Sequence, residues 1–270
     1  MSTVTARNSR RAIVLAVALY LAWVSATYLL EGRILTLQRP DATLARVLYA
    51  LVANMLFGIV GATFVLRVLV GWRAVSPDQA GFRSLGHALI SIPIGAVLGF
   101  VLYAVQGPPT FNSVIILNAY AQVLVVSVAE VLVCWAVVGS VSEPLLQGRG
   151  RWVAPILAAI VASVFFGVYH FAHSPPFNTV GFVALLTVIG LVTSLFFFVS
   201  RDVYGTIAFH NFAGIFGVIQ ALERSGNLGS LESPVIPLLV NAVVAVALLV
   251  AAHVLWLGRN AGDQRTARDG

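Results

Sequence analysis

The chain has 270 residues, of which 59% are hydrophobic and only 10% charged, and its mean hydropathy is +0.95. A soluble domain of that composition would expose too much apolar surface to stay in solution, so water-soluble classes are excluded and a polytopic membrane protein is implied. The formal net charge of +6 comes from sixteen basic residues, all arginine, against ten acidic ones, and membrane topology with anionic headgroups accounts for the arginines without any nucleic-acid partner.

Apolar runs of about 20 residues, the length that crosses a bilayer, occur at 12–30, 47–70, 87–105, 114–139, 153–173, 180–200, 204–222 and 235–257. They predict an all-α transmembrane bundle of about eight spans, one integral membrane domain over residues 1–270. The first run follows "RNSRR" and lacks a small-residue cleavage site, so it reads as an anchor rather than a signal peptide. With the N-terminus inside, Arg7, Arg10, Arg11, Arg67, Arg73, Arg83, Arg149, Arg151, Arg201, Arg259, Arg265 and Arg268 are cytoplasmic, twelve in all, against Arg33, Arg39, Arg46 and Arg224 outside. That bias predicts both termini in the cytoplasm. The connections at 31–46, 72–86 and 223–234 are too short to fold alone, so any chemistry must lie among the helices.

Polar groups within spans are costly, roughly 2.5–3.5 kcal/mol for a central Asp on insertion scales, and each needs a reason. The stretch "SVAEVLVCWAVVG" holds one acid, Glu130, which must be protonated, paired or facing a wet cavity. Cys134, the only cysteine, can form no internal disulfide and no Cys-based metal site. Further along, "FFGVYHFAHSPP" carries His170 and His173, and "YGTIAFHNFAGIFG" carries His210. One carboxylate and two imidazoles from three helices can hold a water, with Glu130 as general base and His170 and His210 as orienters or metal ligands. The plain alternative makes each an interhelical hydrogen bonder. His173 is a second candidate against a boundary histidine before "SPP", while His87 and His253 read as span-end residues. Phe165 and Phe166 read as packing, and Arg201 with Asp202 as an interface anchor. Gly205, Gly214 and Gly217 either let backbones approach or leave room for substrate.

The order Glu, then Phe-x-x-x-His, then His on the fourth, fifth and seventh spans resembles the CPBP family of intramembrane proteases, which includes the CAAX prenyl endopeptidases. The family pattern is EExxxR, FxxxH, then HxxxN or HxxxD. Here "FGVYH" (Phe166 to His170) matches the second element and "RDVYGTIAFH" the approach to the third, and the resemblance covers a core at about 114–222. The first element departs, and two alignments are open. If Glu130 is the second glutamate, Ala129 replaces the first and Cys134 the arginine. If it is the first, Val131 replaces the second and Trp135 the arginine. The family's second Glu and its Arg lie four residues apart, so they can pair on one helix face. Stranding one partner costs about 3–5 kcal/mol, and joint loss favours the second alignment, in which Trp135 only packs. Gly214 stands where the family has its oxyanion donor, and Asn211 lies about 100° round the helix from His210. By helical rise, Glu130, His210 and His170 lie roughly 14, 9 and 25 Å from the cytoplasmic ends of their runs, a mismatch that tilt or an unwound segment would have to close.

The resemblance implies an intramembrane endopeptidase that cleaves a membrane-anchored peptide or protein near the cytoplasmic side of the bilayer. Its catalytic residues would be Glu130 and His170 on the water and His210 on the carbonyl. A prokaryotic cell membrane is the expected location. Many prokaryotic relatives have no prenylated partner, so a CAAX substrate does not follow. A Glu and two His would also fit zinc with water as fourth ligand. The rival readings are an inactive CPBP-like scaffold or immunity protein, and a transporter that moves protons through Glu130.

Overall fold

A computed structural model gives the architecture of residues 3–36, 39 and 41–257. Arg259, Arg265 and Arg268, on which the orientation expectation partly rests, lie outside the described residues, as does the side chain of Arg7. Among the described residues there is no strand, and eight helices are long and apolar enough to cross a membrane. They are α1 (Asn8–Gly32), α2 (Thr43–Gly71), α3 (Leu85–Val105), α4 (Ser113–Arg149), α5 (Val153–Ala172), α6 (Val180–Ser200), α7 (Val203–Arg224) and α8 (Ile236–Leu255). Each expected run finds its helix, and the protein is an all-α integral membrane bundle.

One helix differs in kind. The most apolar window of α4 is 89% buried, whereas those of α1, α3 and α6 are 28% buried, so α4 is the central post and the others face lipid. Its sequence explains this, because residues 128–137 are apolar on every side except for Glu130 and all are buried, the pattern of a helix packed all round. It also runs on past residue 139, where the apolar run ends. Ser140 Oγ donates to the Gln79 carbonyl and Ser142 Oγ to that of Val138, each at 2.8 Å, so the serines that look like a loop are satisfied within the helix and by its neighbour. Gly58 brings α2 against α4, since a Cβ there would collide with the Cβ of Ala129, beside Glu130.

The start of α7 is sunk into the bundle, with residues 202–211 all buried. Asp202 caps the helix by accepting from the Gly205 N–H at 2.8 Å and also accepts from Ser91 Oγ at 2.7 Å, tying α7 to α3. Arg201 donates through both terminal nitrogens to Glu143 of α4 at 2.7 Å each. The pair expected as an interface anchor is therefore half right: Arg201 clamps the end of α4, but Asp202 is a buried helix cap. Backbones meet at Gly95 and Gly205, where a Cβ on the first would strike the Gly205 carbonyl and one on the second Ser91. Gly205→Ala is expected to lower stability by about 1–3 kcal/mol through overpacking, read as a drop in melting temperature in detergent. An unchanged melt would show that α3 and α7 can part freely.

Candidate functional site

Glu130 sits where the regular turn of α4 gives way to the wider π-helical Val131–Gly139, a distortion frequent at functional sites. His210 of α7 brings Nε2 to within 3.0 Å of Glu130 Oε2, and its Nδ1 lies 2.9 Å from Thr193 Oγ1 of α6. A carboxylate oxygen only accepts, so Nε2 carries the proton and Nδ1 accepts from the threonine. His170, at the end of α5, has Nδ1 at 2.8 Å from the Phe166 carbonyl. That carbonyl also only accepts, so Nδ1 is the protonated nitrogen and the Nε2 lone pair faces Glu130 Oε1 at 3.7 Å, too far for a direct hydrogen bond. The three residues are 5%, 6% and 2% exposed, and they meet on one cavity.

The apparent mismatch in depth has a structural cause. Measured from the ends of their helices at Arg149 and Val153, Glu130 and His170 lie roughly 28 and 25 Å in by helical rise, because α4 is longer than its apolar run. His210 reaches them because α7 begins inside the protein.

Three residues take roles other than those expected, and a fourth, His173, takes the site role weighed for it. Phe166 is more than packing: its carbonyl fixes His170, and its ring lies 4.7 Å from that of His170 and 5.0 Å from that of His210. Trp135 is likewise more than packing, since Nε1 donates to Ser194 Oγ at 2.6 Å, Ser194 meets Ser163 at 2.8 Å, and the indole stands 5.3 Å from the His210 ring. Arg46, counted among the outside arginines, is buried in the first turn of α2, donates to the Thr36 and Arg39 carbonyls and lines the cavity. His173 lies at the site, with its ring stacked on that of His170 at 5.1 Å. His87 and His253 stand elsewhere, against the Ser200 carbonyl and the Tyr204 hydroxyl.

A second carboxylate escaped the sequence reading. Glu31, at the last turn of α1, has Oε2 at 3.2 Å from His173 Nδ1 and accepts from the Ser174 N–H at 2.8 Å and from the Ser174 hydroxyl. Gly32 allows this, because a Cβ there would collide with the Ala172 carbonyl. The signal was present in "YLLEG", a lone acid at a span end, but a boundary drawn at residue 30 assigned it to a connection.

The cavity measures about 130 Å³, room for several waters at roughly 10–15 Å³ each. Beyond the Glu and His residues it is lined by Gln122 and Asn241, and Gln122 Oε1 and Asn241 Nδ2 are buried without a hydrogen-bond partner. Asn211 is committed elsewhere: its Oδ1 accepts from Ser127 Oγ at 3.0 Å and its Nδ2 donates to the Tyr120 carbonyl at 3.2 Å. Gly214 lines the cavity, and a Cβ on it would lie 2.5 Å from Val123 Cγ1. Gly217 makes only ordinary contact with Phe177. Glu130, His170 and His173 bring ligand atoms within 4.8 Å of one another, a set that could hold a metal ion.

Residues 112–216 match the family model described as "Type II CAAX prenyl endopeptidase Rce1-like". The match takes in Glu130, His170, His173 and His210 and leaves Glu31, Arg46 and Asn241 outside. No curated protein and no solved structure matches the chain.

Proposed function

We propose that this chain, whose residues 112–216 match the Rce1-like family model, is a CPBP/CAAX protease-like intramembrane peptidase whose water is activated by Glu130. The observation that carries the proposal is the meeting of one carboxylate and two oriented imidazoles from three helices on a cavity large enough for water. Water held by Glu130 Oε1 and the His170 Nε2 lone pair gives a proton to the carboxylate as its oxygen attacks the scissile carbonyl. Protonation weakens the hold of Glu130 on the His210 Nε2–H, which frees that donor for the developing oxyanion. When the intermediate collapses, the C–N bond breaks and Glu130 returns its proton to the leaving amine. Thr193 and the Phe166 carbonyl keep each imidazole in the tautomer this needs. Asn241 Nδ2 can donate to a substrate carbonyl and Gln122 Oε1 accept from a substrate N–H, polar groups suited to an extended main chain.

Two features together support a reading of the side of the membrane. The cavity is lined by Glu31 and Thr36 near the end of α1, by Arg46 and Tyr49 at the start of α2, by His173 and Phe177 after α5, and by Leu238 and Asn241 at the start of α8. These belong to the half of the bundle away from Arg10, Arg11, Arg73 and Arg151. If the arginine-rich end is cytoplasmic, the cavity lies in the outer half of the bilayer; if it is the outer end, cleavage falls near the cytoplasmic side. Cys134 is the sole cysteine and is buried, so introduced thiols can be read cleanly. Pro109→Cys in whole cells is expected to react with an impermeant maleimide and Asp78→Cys only after lysis. The reverse pattern would put the cavity on the cytoplasmic side.

The activity itself is tested with the purified protein in liposomes carrying a library of membrane-tethered peptides, products being read by mass spectrometry. Cleavage within the tethered segment is the expected result. Its absence across the library would favour a scaffold, a reading that the commitment of Asn211 to Ser127 and Tyr120 supports.

A further inference from the structure

We infer that the start of α1 and the end of α2 form a binding site for one anionic phospholipid, its phosphate on Arg10 and Arg11 and an acyl chain in the groove below them. The site shares no lining residue with the cavity around Glu130 and does not depend on the peptidase proposal. A groove of about 380 Å³ is lined by Arg10, Arg11, Val14, Leu15 and Ala18 of α1 and by Trp72, directly after α2. That volume falls within the ~300–1,000 Å³ of ligand clefts. Helical spacing builds it. Positions 11, 14, 15 and 18 follow the i, i+3, i+4, i+7 pattern of one helix face, with Arg10 beside them, so two cations head an apolar stripe. From Arg10 to Ala18 the stripe runs about 12 Å by helical rise, most of the ~15 Å of hydrocarbon in one leaflet. Trp72 forms the opposite wall. Leu15 and Trp72 both pack against the main hydrophobic core, and the Trp72 carbonyl accepts from Asn8 Nδ2 at 3.4 Å, which keeps the end of α2 beside the first turn of α1.

Exposure and charge select the occupant. The most apolar window of α1 is only 28% buried, and Val14 and Ala18 are exposed, so the groove opens on acyl chains rather than on a neighbouring helix. Arg10 and Arg11 are exposed too, and among the described residues neither makes an ion pair or a side-chain hydrogen bond. The head of the groove therefore carries two positive charges with no carboxylate to compensate them. Guanidinium groups meet phosphate oxygens through paired N–H donors, and an indole at the membrane–water interface sits at headgroup level. A phospholipid of net negative charge satisfies the two arginines and the apolar stripe at once, which a free phosphate ion does not. Arg151 offers a comparison at the same end of the bundle: its guanidinium lies 5.1 Å from the Trp152 ring centroid, an Arg–Trp pair outside this groove.

The test uses the full chain, freed of lipid in a neutral detergent and titrated with dioleoylphosphatidylglycerol, with dioleoylphosphatidylcholine in parallel, bound lipid being counted by native mass spectrometry. One tightly held phosphatidylglycerol per chain is expected, bound more strongly than phosphatidylcholine. Arg10→Gln and Arg11→Gln should each weaken it about fivefold, the factor that about 1 kcal/mol per basic residue near an anionic surface represents. Ala18→Phe fills the groove and keeps both charges, so it should lose the tightly held lipid, while Arg151→Gln should bind as the parent does. If Ala18→Phe fails to fold, the two arginine variants decide. Equal retention of both lipids by the parent, equal retention of phosphatidylglycerol by the parent and Ala18→Phe, or an unchanged affinity in both arginine variants overturns the site. So does displacement of the lipid by millimolar inorganic phosphate, because headgroup charge alone would then account for binding. The readout is lipid per chain, so a failure here leaves the peptidase proposal standing, and a protein that holds the lipid but cleaves nothing leaves this inference standing.

Discussion

Glu130→Gln is expected to slow peptide cleavage by about 10²–10⁴, the range of a general base, while the protein folds as before. The side chain keeps its size. Its amide oxygen can still accept from His210 Nε2–H, now 3.0 Å from Oε2, and its amide nitrogen would face the His170 Nε2 lone pair, now 3.7 Å from Oε1. A neutral amide at a site that is 5% exposed also removes the cost of burying a charge, so the melting temperature should hold or rise. Activity and stability are thereby separated in one variant, as they would not be by Glu130→Ala. Initial rates of cleavage in liposomes, set beside thermal melts in detergent, give both quantities. Unchanged cleavage would make Glu130 a structural hydrogen bonder between α4 and α7 and remove the water-activation scheme. His170→Ala should cost a similar factor, because it takes away the lone pair that positions the water.

The parts of this molecule legible in the sequence are those governed by local pattern. Eight apolar runs gave eight helices because a lipid-facing helix must be apolar over about 20 residues. Glu130, His170 and His210 stood out because a polar group in a span needs a partner, and the three side chains do meet. The run of α4 through Ser140–Leu146 was not visible, because its serines and Glu143 look like a loop until Gln79 and Arg201 are placed against them. Glu31 and Asn241 obey the rule that singled out Glu130, but one fell beyond a span boundary and the other is a neutral amide near the start of the last run. The tautomers of the site depend on Thr193 and the Phe166 carbonyl, and only the fold brings Thr193 to His210. Arg46 shows the same limit from the other side: charge counting assigns it to an outer surface, but its guanidinium caps carbonyls inside the protein.

Trp135 is where sequence and structure give different answers to one experiment. A residue that only packs would tolerate any large apolar replacement, and Trp135→Phe would then cost little. The indole is instead fully buried and donates to Ser194 Oγ, which lies in contact with Ser163. Phenylalanine cannot make that bond, and a buried acceptor left short of a donor costs about 1–3 kcal/mol. Trp135→Ala removes the ring as well, and truncating a buried Trp costs about 3–5 kcal/mol. The ordering Trp135→Ala well below Trp135→Phe, itself measurably below the parent, is expected in urea or thermal unfolding in detergent. The ring also walls the His210 imidazole at 5.3 Å, and His210 is held to Glu130 only while its ring plane is kept. Trp135→Ala should therefore lower the cleavage rate in the fraction that remains folded, whereas Trp135→Phe, with an aromatic wall still in place, should cleave close to the parent rate. Equal stability of Trp135→Phe and the parent would mean that the indole N–H contributes nothing and that packing alone holds this part of α4. Equal cleavage by folded Trp135→Ala would detach Trp135 from the site altogether.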